Sequence, residues 1–145
     1  MVTIEAIFPG LQPGKYTITS VASAKYNCIA WAAGNDRTCW WPSEDDRDYW
    51  PSSVAKDESI DTFRVMFASM GYDVCPTTDA EPEIEKVALF ANVHGVPTHA
   101  ARQLPNGRWT SKLGELEDIE HDLTDLEGAA YGKVVLLMKR ATPKP

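Results

Sequence analysis

The chain has 145 residues, 43% of them hydrophobic and 24% charged, with a net charge of −7 at neutral pH. These values fit one compact domain spanning residues 1–145 and exclude disordered, collagen-like and coiled-coil states. No basic block is present, so a polyanion would have to bind against the field of the whole chain, and nucleic acid is not an expected partner.

The segment from Met1 to Pro13 has no basic stretch followed by an apolar run, and no apolar stretch approaches membrane-spanning length. The expectation is a cytoplasmic protein with no membrane association, or a form delivered by an accessory route. Cys28, Cys39 and Cys75 are odd in number and lack Cys-x-x-Cys spacing, which fits neither a disulfide framework nor a zinc site. At least one thiol is free, and a Cys39–Cys75 pairing would require an oxidising compartment.

Residues 6–26 are rich in turns, with a short strand expected around Lys15 to Thr19. Asn27 offers a helix cap to Cys28-Ile29-Ala30-Trp31-Ala32-Ala33, and Gly34 stops that helix. A helix so short and apolar is held only by packing. Two aromatic clusters, Trp40-Trp41-Pro42 and Tyr49-Trp50-Pro51, anchor the loop that follows. Ser59 caps a second helix, whose Ile60, Phe63, Phe67 and Met70 recur at helical spacing up to Gly71. Beyond a proline-rich connection, Lys86 to Ala91, Pro97 to Leu104, Arg108 to Leu113 and Lys133 to Lys139 read as strands. The acidic segment Glu115 to Leu126 reads as partly helical. Helices first and antiparallel strands second predict an α+β domain, with the helices on one face of a sheet of about four or five strands.

Two residues stand out chemically. A cysteine at a helix start lies beside unpaired backbone N–H groups that favour negative charge, so its thiol pKa is expected to fall. A nearby histidine would complete a thiolate–imidazolium pair. His99, within a strand, is the preferred partner over His94 in a turn and His121 in the acidic segment. The Cys28 N–H, with the side chain of Asn27 or Tyr26, would form an oxyanion hole. Taken alone, the same residues read more readily as a buried small apolar group and a structural histidine.

The string Tyr26-Asn27-Cys28-Ile29-Ala30-Trp31-Ala32, followed by Thr98-His99 and then Trp109-Thr110-Ser111-Lys112-Leu113-Gly114, resembles the papain-like superfamily in its bacterial forms. These include the NlpC-type cell-wall peptidases and related amidases. The resemblance covers about half the chain and implies a papain-like core. It also implies a nucleophilic Cys28, a catalytic His99 opening a strand hairpin, and a polar residue on the second strand that orients the histidine. More closely, nearly the whole chain resembles a family of small uncharacterised bacterial proteins that share the Asn-Cys start, the Trp-Pro clusters and the Trp-Thr-Ser-Lys-Leu-Gly block.

The hairpin turn selects the orienting residue. A two-residue type I′ turn at Asn106-Gly107 would pair Pro105 with Arg108 and put Lys112 on the face of His99, but Pro105 suits the second position of a type I turn, and Gly107 suits the left-handed bulge after Asn106. In that register Leu104 pairs with Arg108, and His99, Gln103, Trp109 and Ser111 share one face while Lys112 takes the other. Ser111 is then the expected third member, accepting from the His99 ring, with Gln103 as runner-up. The expected function is a cysteine peptidase or amidase acting on a peptide or side-chain amide, with no cofactor and no metal. Acyl transfer or deamidation by the same pair is an alternative. So is a non-catalytic binding module on the same scaffold, with a groove lined by Trp41, Trp50 and Trp109. Those aromatics serve equally as core and loop anchors.

Overall fold

The computed structural model describes residues 3–143. Seven antiparallel strands form one sheet in the order β1-β6-β5-β4-β3-β7-β2. They are β1 (Thr17–Ser20), β2 (Asp73–Val74), β3 (Ile84–Ala91), β4 (Pro97–Gln103), β5 (Trp109–Lys112), β6 (Asp118–His121) and β7 (Lys133–Ala141). The helices are α1 (Ile4–Ile7), α2 (Cys28–Ala32) and α3 (Ile60–Ala68), with a 3₁₀ turn at Leu123–Leu126. Each helix begins on a side-chain cap: Thr3 accepts from Ala6 N, Asn27 from Ala30 N and Ser59 from Thr62 N.

The central strands are covered on both faces, which is why β3 reads as an unbroken apolar run rather than an alternation. Val87 and Leu89, with Ala100 and Met138, face α2 and α3 through Ile29, Phe63 and Phe67. Ala88 and Phe90, with Ala101, Trp109 and Ile119, face Phe8 and Leu11 from the N-terminal segment and Leu123 and Leu126 from the 3₁₀ turn.

The expected papain-like α+β core with four or five strands is not what the chain forms. The protein is β-rich, with seven strands and three short helices among the described residues. Residues 17–20 pair with 118–120 at one edge, and Asp73–Val74 pairs with Met138 and Lys139 at the other. The acidic segment is not helical before its 3₁₀ turn. Ile119, His121 and Leu123 alternate inward while Glu120 and Asp122 face outward, so a period of two overrides the helix-forming acids.

Candidate active site

The β4–β5 hairpin has the bulged register. Arg102 stands opposite Thr110 and Gln103 opposite Trp109, Leu104 N donates to Arg108 O, and Gly107 has φ 88°. Ser111 therefore shares a face with His99, and its Oγ lies 2.9 Å from His99 Nε2. It also lies 2.7 Å from Nε2 of His121 on β6. All three residues are fully buried.

Donor counting fixes the direction of this chain. His121 Nδ1 lies 2.8 Å from the Asp122 carbonyl oxygen, which only accepts, so Nδ1 carries the proton. His121 Nε2 then accepts the single Ser111 hydroxyl proton. Ser111 Oγ is left to accept from His99 Nε2–H. The free lone pair of His99 therefore sits on Nδ1, which is buried and has no hydrogen-bond partner. Both rings are neutral at pH 7. Burial, with His121 nearby, holds His99 well below the usual histidine range, and burial pushes His121 down to about 4.

Cys28 opens α2 and is 8% exposed. It packs with Ala100 on the α2 side of the sheet, whereas the His99 ring sits edge-on to Phe90 on the opposite side, with centroids 5.1 Å apart. No hydrogen bond joins the two residues among the described residues. The Ala100 N–H reaches the Cys28 sulfur at the point where the β4–β5 ladder has ended, so the thiol meets β4 one residue from His99.

The expected thiolate–imidazolium pair does not form at rest. Burial pushes the thiol up to about 11, against the smaller pull of the N–H groups of Ala100, Ile29 and Cys28 itself. A helix of five residues is too short to offset that desolvation.

The remaining sequence candidates are engaged elsewhere. Asn27 Nδ2 donates to Trp40 O at 2.8 Å while its Oδ1 accepts from Trp40 N and Ala30 N, so this amide staples the Trp loop to α2. Tyr26 Oη donates to buried Asp118 at 2.6 Å. Gln103 donates to Thr78 O at 2.6 Å and to Gly107 O, and does not contact His99. Trp41 and Trp50 pack on Phe63 on the helix side, whereas Trp109 is buried on the other side, so the three do not line a common groove. Lys112 takes the face opposite His99, as expected, and is fully buried over the Tyr26 ring, donating to Leu116 O. All three cysteines are free.

Two further residues join the site, His121, which ranked behind His99 as a partner for Cys28, and Tyr131. His121 carried a signal, the inward alternation Ile119, His121, Leu123. Tyr131 carried none. It lies in an irregular loop, and its ring stacks on His99 at 4.0 Å and 9°. Burial, followed by the proximity of Cys28, raises its phenol pKa, so Tyr131 neighbours both groups.

Gly132 seats this loop. Its φ is +79°, and a Cβ there would lie 2.0 Å from the Ala91 carbonyl oxygen. Gly132→Ala should therefore cost about 3 kcal/mol or more in urea denaturation, because strain and a backbone clash act together. A variant as stable as the parent would show that the loop can shift freely.

Fold and site together define a β-rich sheet protein with a buried histidine–serine–histidine hydrogen-bond chain on one face of the sheet and a helix-start cysteine on the other. The chain belongs to the family described as a domain of unknown function, DUF7689, whose model matches residues 17–139. That span contains every residue of the site. No curated protein and no solved structure matches the chain.

Proposed function

We propose that the protein is a cysteine hydrolase, a peptidase or amidase acting on a peptide or side-chain amide, with Cys28 as nucleophile and His99 as its base. The observation that carries this reading is the direction of the relay. Ser111 and His121 hold the His99 ring by Nε2, leaving an unprotonated Nδ1 without a partner one residue from the point where the thiol meets β4.

A thiol with a pKa near 11 is ionised to only about one part in ten thousand at pH 7, so a base is needed during attack. The thiol and the His99 ring rest on opposite faces of the sheet, so the reaction requires them to be brought together; the sulfur then bonds to the acyl carbon as its proton passes to His99 Nδ1. The carbonyl oxygen becomes an oxyanion facing the Cys28 N–H. His99 then returns the proton to the departing amine. Water, deprotonated by the same nitrogen, cleaves the thioester and restores the thiol.

The test uses p-nitrophenyl acetate with mass spectrometry of the intact chain and its peptides. Acetylation is expected at Cys28, and His99→Asn should slow it by about 10²–10⁴-fold. Equal acetylation in His99→Asn, or none at Cys28 while Cys39 reacts, would reject the reading.

A second reading, a non-catalytic binding module, is favoured by the burial of both groups and by three cavities of about 480, 520 and 590 Å³ that are lined by other residues. In that case Cys28→Ser leaves partner binding unchanged.

A further inference from the structure

We infer that the cavity at the Arg102 end of β3 and β4 is a binding site for a small monocarboxylate with a compact apolar body. The cavity holds about 480 Å³, within the range of small-molecule sites, and Arg102 lines it. Among the described residues the Arg102 guanidinium forms no ion pair, and its buried Nε has no hydrogen-bond partner. Its one compensation is the face of Trp31, 5.6 Å from the ring centroid. Arg102 is half-buried, and an Nε–H sealed from water without an acceptor marks a place where an acceptor is missing; guanidinium geometry matches a carboxylate through two parallel N–H donors.

Acidic residues lie in the same cavity wall but do not neutralise Arg102. Glu81 is held by Lys86 at 2.8 Å and by Lys139 at 3.6 Å, and Glu85 by Arg140 at 3.1 Å. Glu83 is exposed and adds negative charge to the wall. One free guanidinium ringed by carboxylates balances a single negative charge and repels a dianion, which selects a carboxylate over a phosphate. Pro82, Ile84 and Pro105 supply apolar wall for the rest of the ligand. The site shares no residue with the Cys28–His99 chemistry and stands or falls independently of it.

Titration of the full chain with sodium isobutyrate, sodium benzoate and inorganic phosphate, followed by NMR, tests this. The Arg102 Nε–H cross-peak and the Trp31 indole N–H, which donates to Thr110 at 3.0 Å, report on the site. Expected are saturable shifts of both signals with at least one monocarboxylate, weaker binding of phosphate, and loss of saturation in Arg102→Gln. Shifts reproduced by sodium chloride at equal ionic strength would overturn the site. Phosphate binding as tight as the monocarboxylates would overturn the choice of ligand. If Arg102→Gln fails to fold, the exposed Glu83→Gln decides: it should tighten monocarboxylate binding about threefold by removing a repulsive surface charge, and unchanged affinity refutes the proposal.

Discussion

Ser111→Ala should lower stability by about 3 kcal/mol and slow Cys28 acylation by about 10²-fold, although it deletes a single oxygen atom. The hydroxyl accepts from one buried imidazole and donates to another, at 2.9 and 2.7 Å. Its removal strands the His99 Nε2–H donor and the His121 Nε2 acceptor in a site with no exposed surface, and each stranded group costs about 1–3 kcal/mol. The His99 ring would also lose the contact that assigns its tautomer. Nitrogen-15 NMR at pH 7 should show Nε2 protonated and Nδ1 bare in the parent, and a mixture of tautomers in the variant. Urea denaturation supplies the stability, and unchanged stability with an unchanged tautomer would mean that the relay does not hold His99.

Acid should unfold the protein earlier than its carboxylates require. His121 titrates near 4 in the folded chain against about 6.5 when unfolded, and His99 is also depressed. Burial dominates for both. Around His121, Arg108 pushes in the same direction, while the Asp122 carbonyl and the Asp122 and Glu120 carboxylates oppose it. Between these pKa values the unfolded chain binds protons that the folded chain refuses, so stability is full above pH 6.5 and falls as pH drops towards 4. The slope is about 1.4 kcal/mol per pH unit for each histidine, and His121 alone removes about 3 kcal/mol. His121→Gln should reduce the slope by one proton in denaturation curves collected across that window. A flat profile in the parent would contradict neutral, buried rings.

Much of the site was legible because it rests on short-range rules. The cap of Asn27 on α2 and of Ser59 on α3 lies within three residues of what it satisfies. The Pro105-Asn106-Gly107 turn sets the β4–β5 register locally, and with it the meeting of His99 and Ser111, because strand alternation carries a turn's geometry outward without further information. The helical spacing of Ile60, Phe63 and Phe67 placed α3 for the same reason.

By itself, then, the sequence determined the starts of α2 and α3, the hairpin register and the pairing of His99 with Ser111, all of which depend on contacts a few residues apart. Tertiary structure alone decided the rest. Tyr26 meets Asp118 across 92 residues, and that kind of long-range pairing made β6 a strand, buried His121 and brought the sheet to seven strands. It also decided protonation. A helix start lowers a thiol pKa and a carboxylate-poor strand says nothing of a histidine, but desolvation depends on everything packed around a group, so Cys28 and His99 are neutral where local reasoning expected charge. The unpaired Arg102 is visible only once the ion pairs of its neighbours are known, because being without a partner is a property of the assembled fold and not of any segment of it.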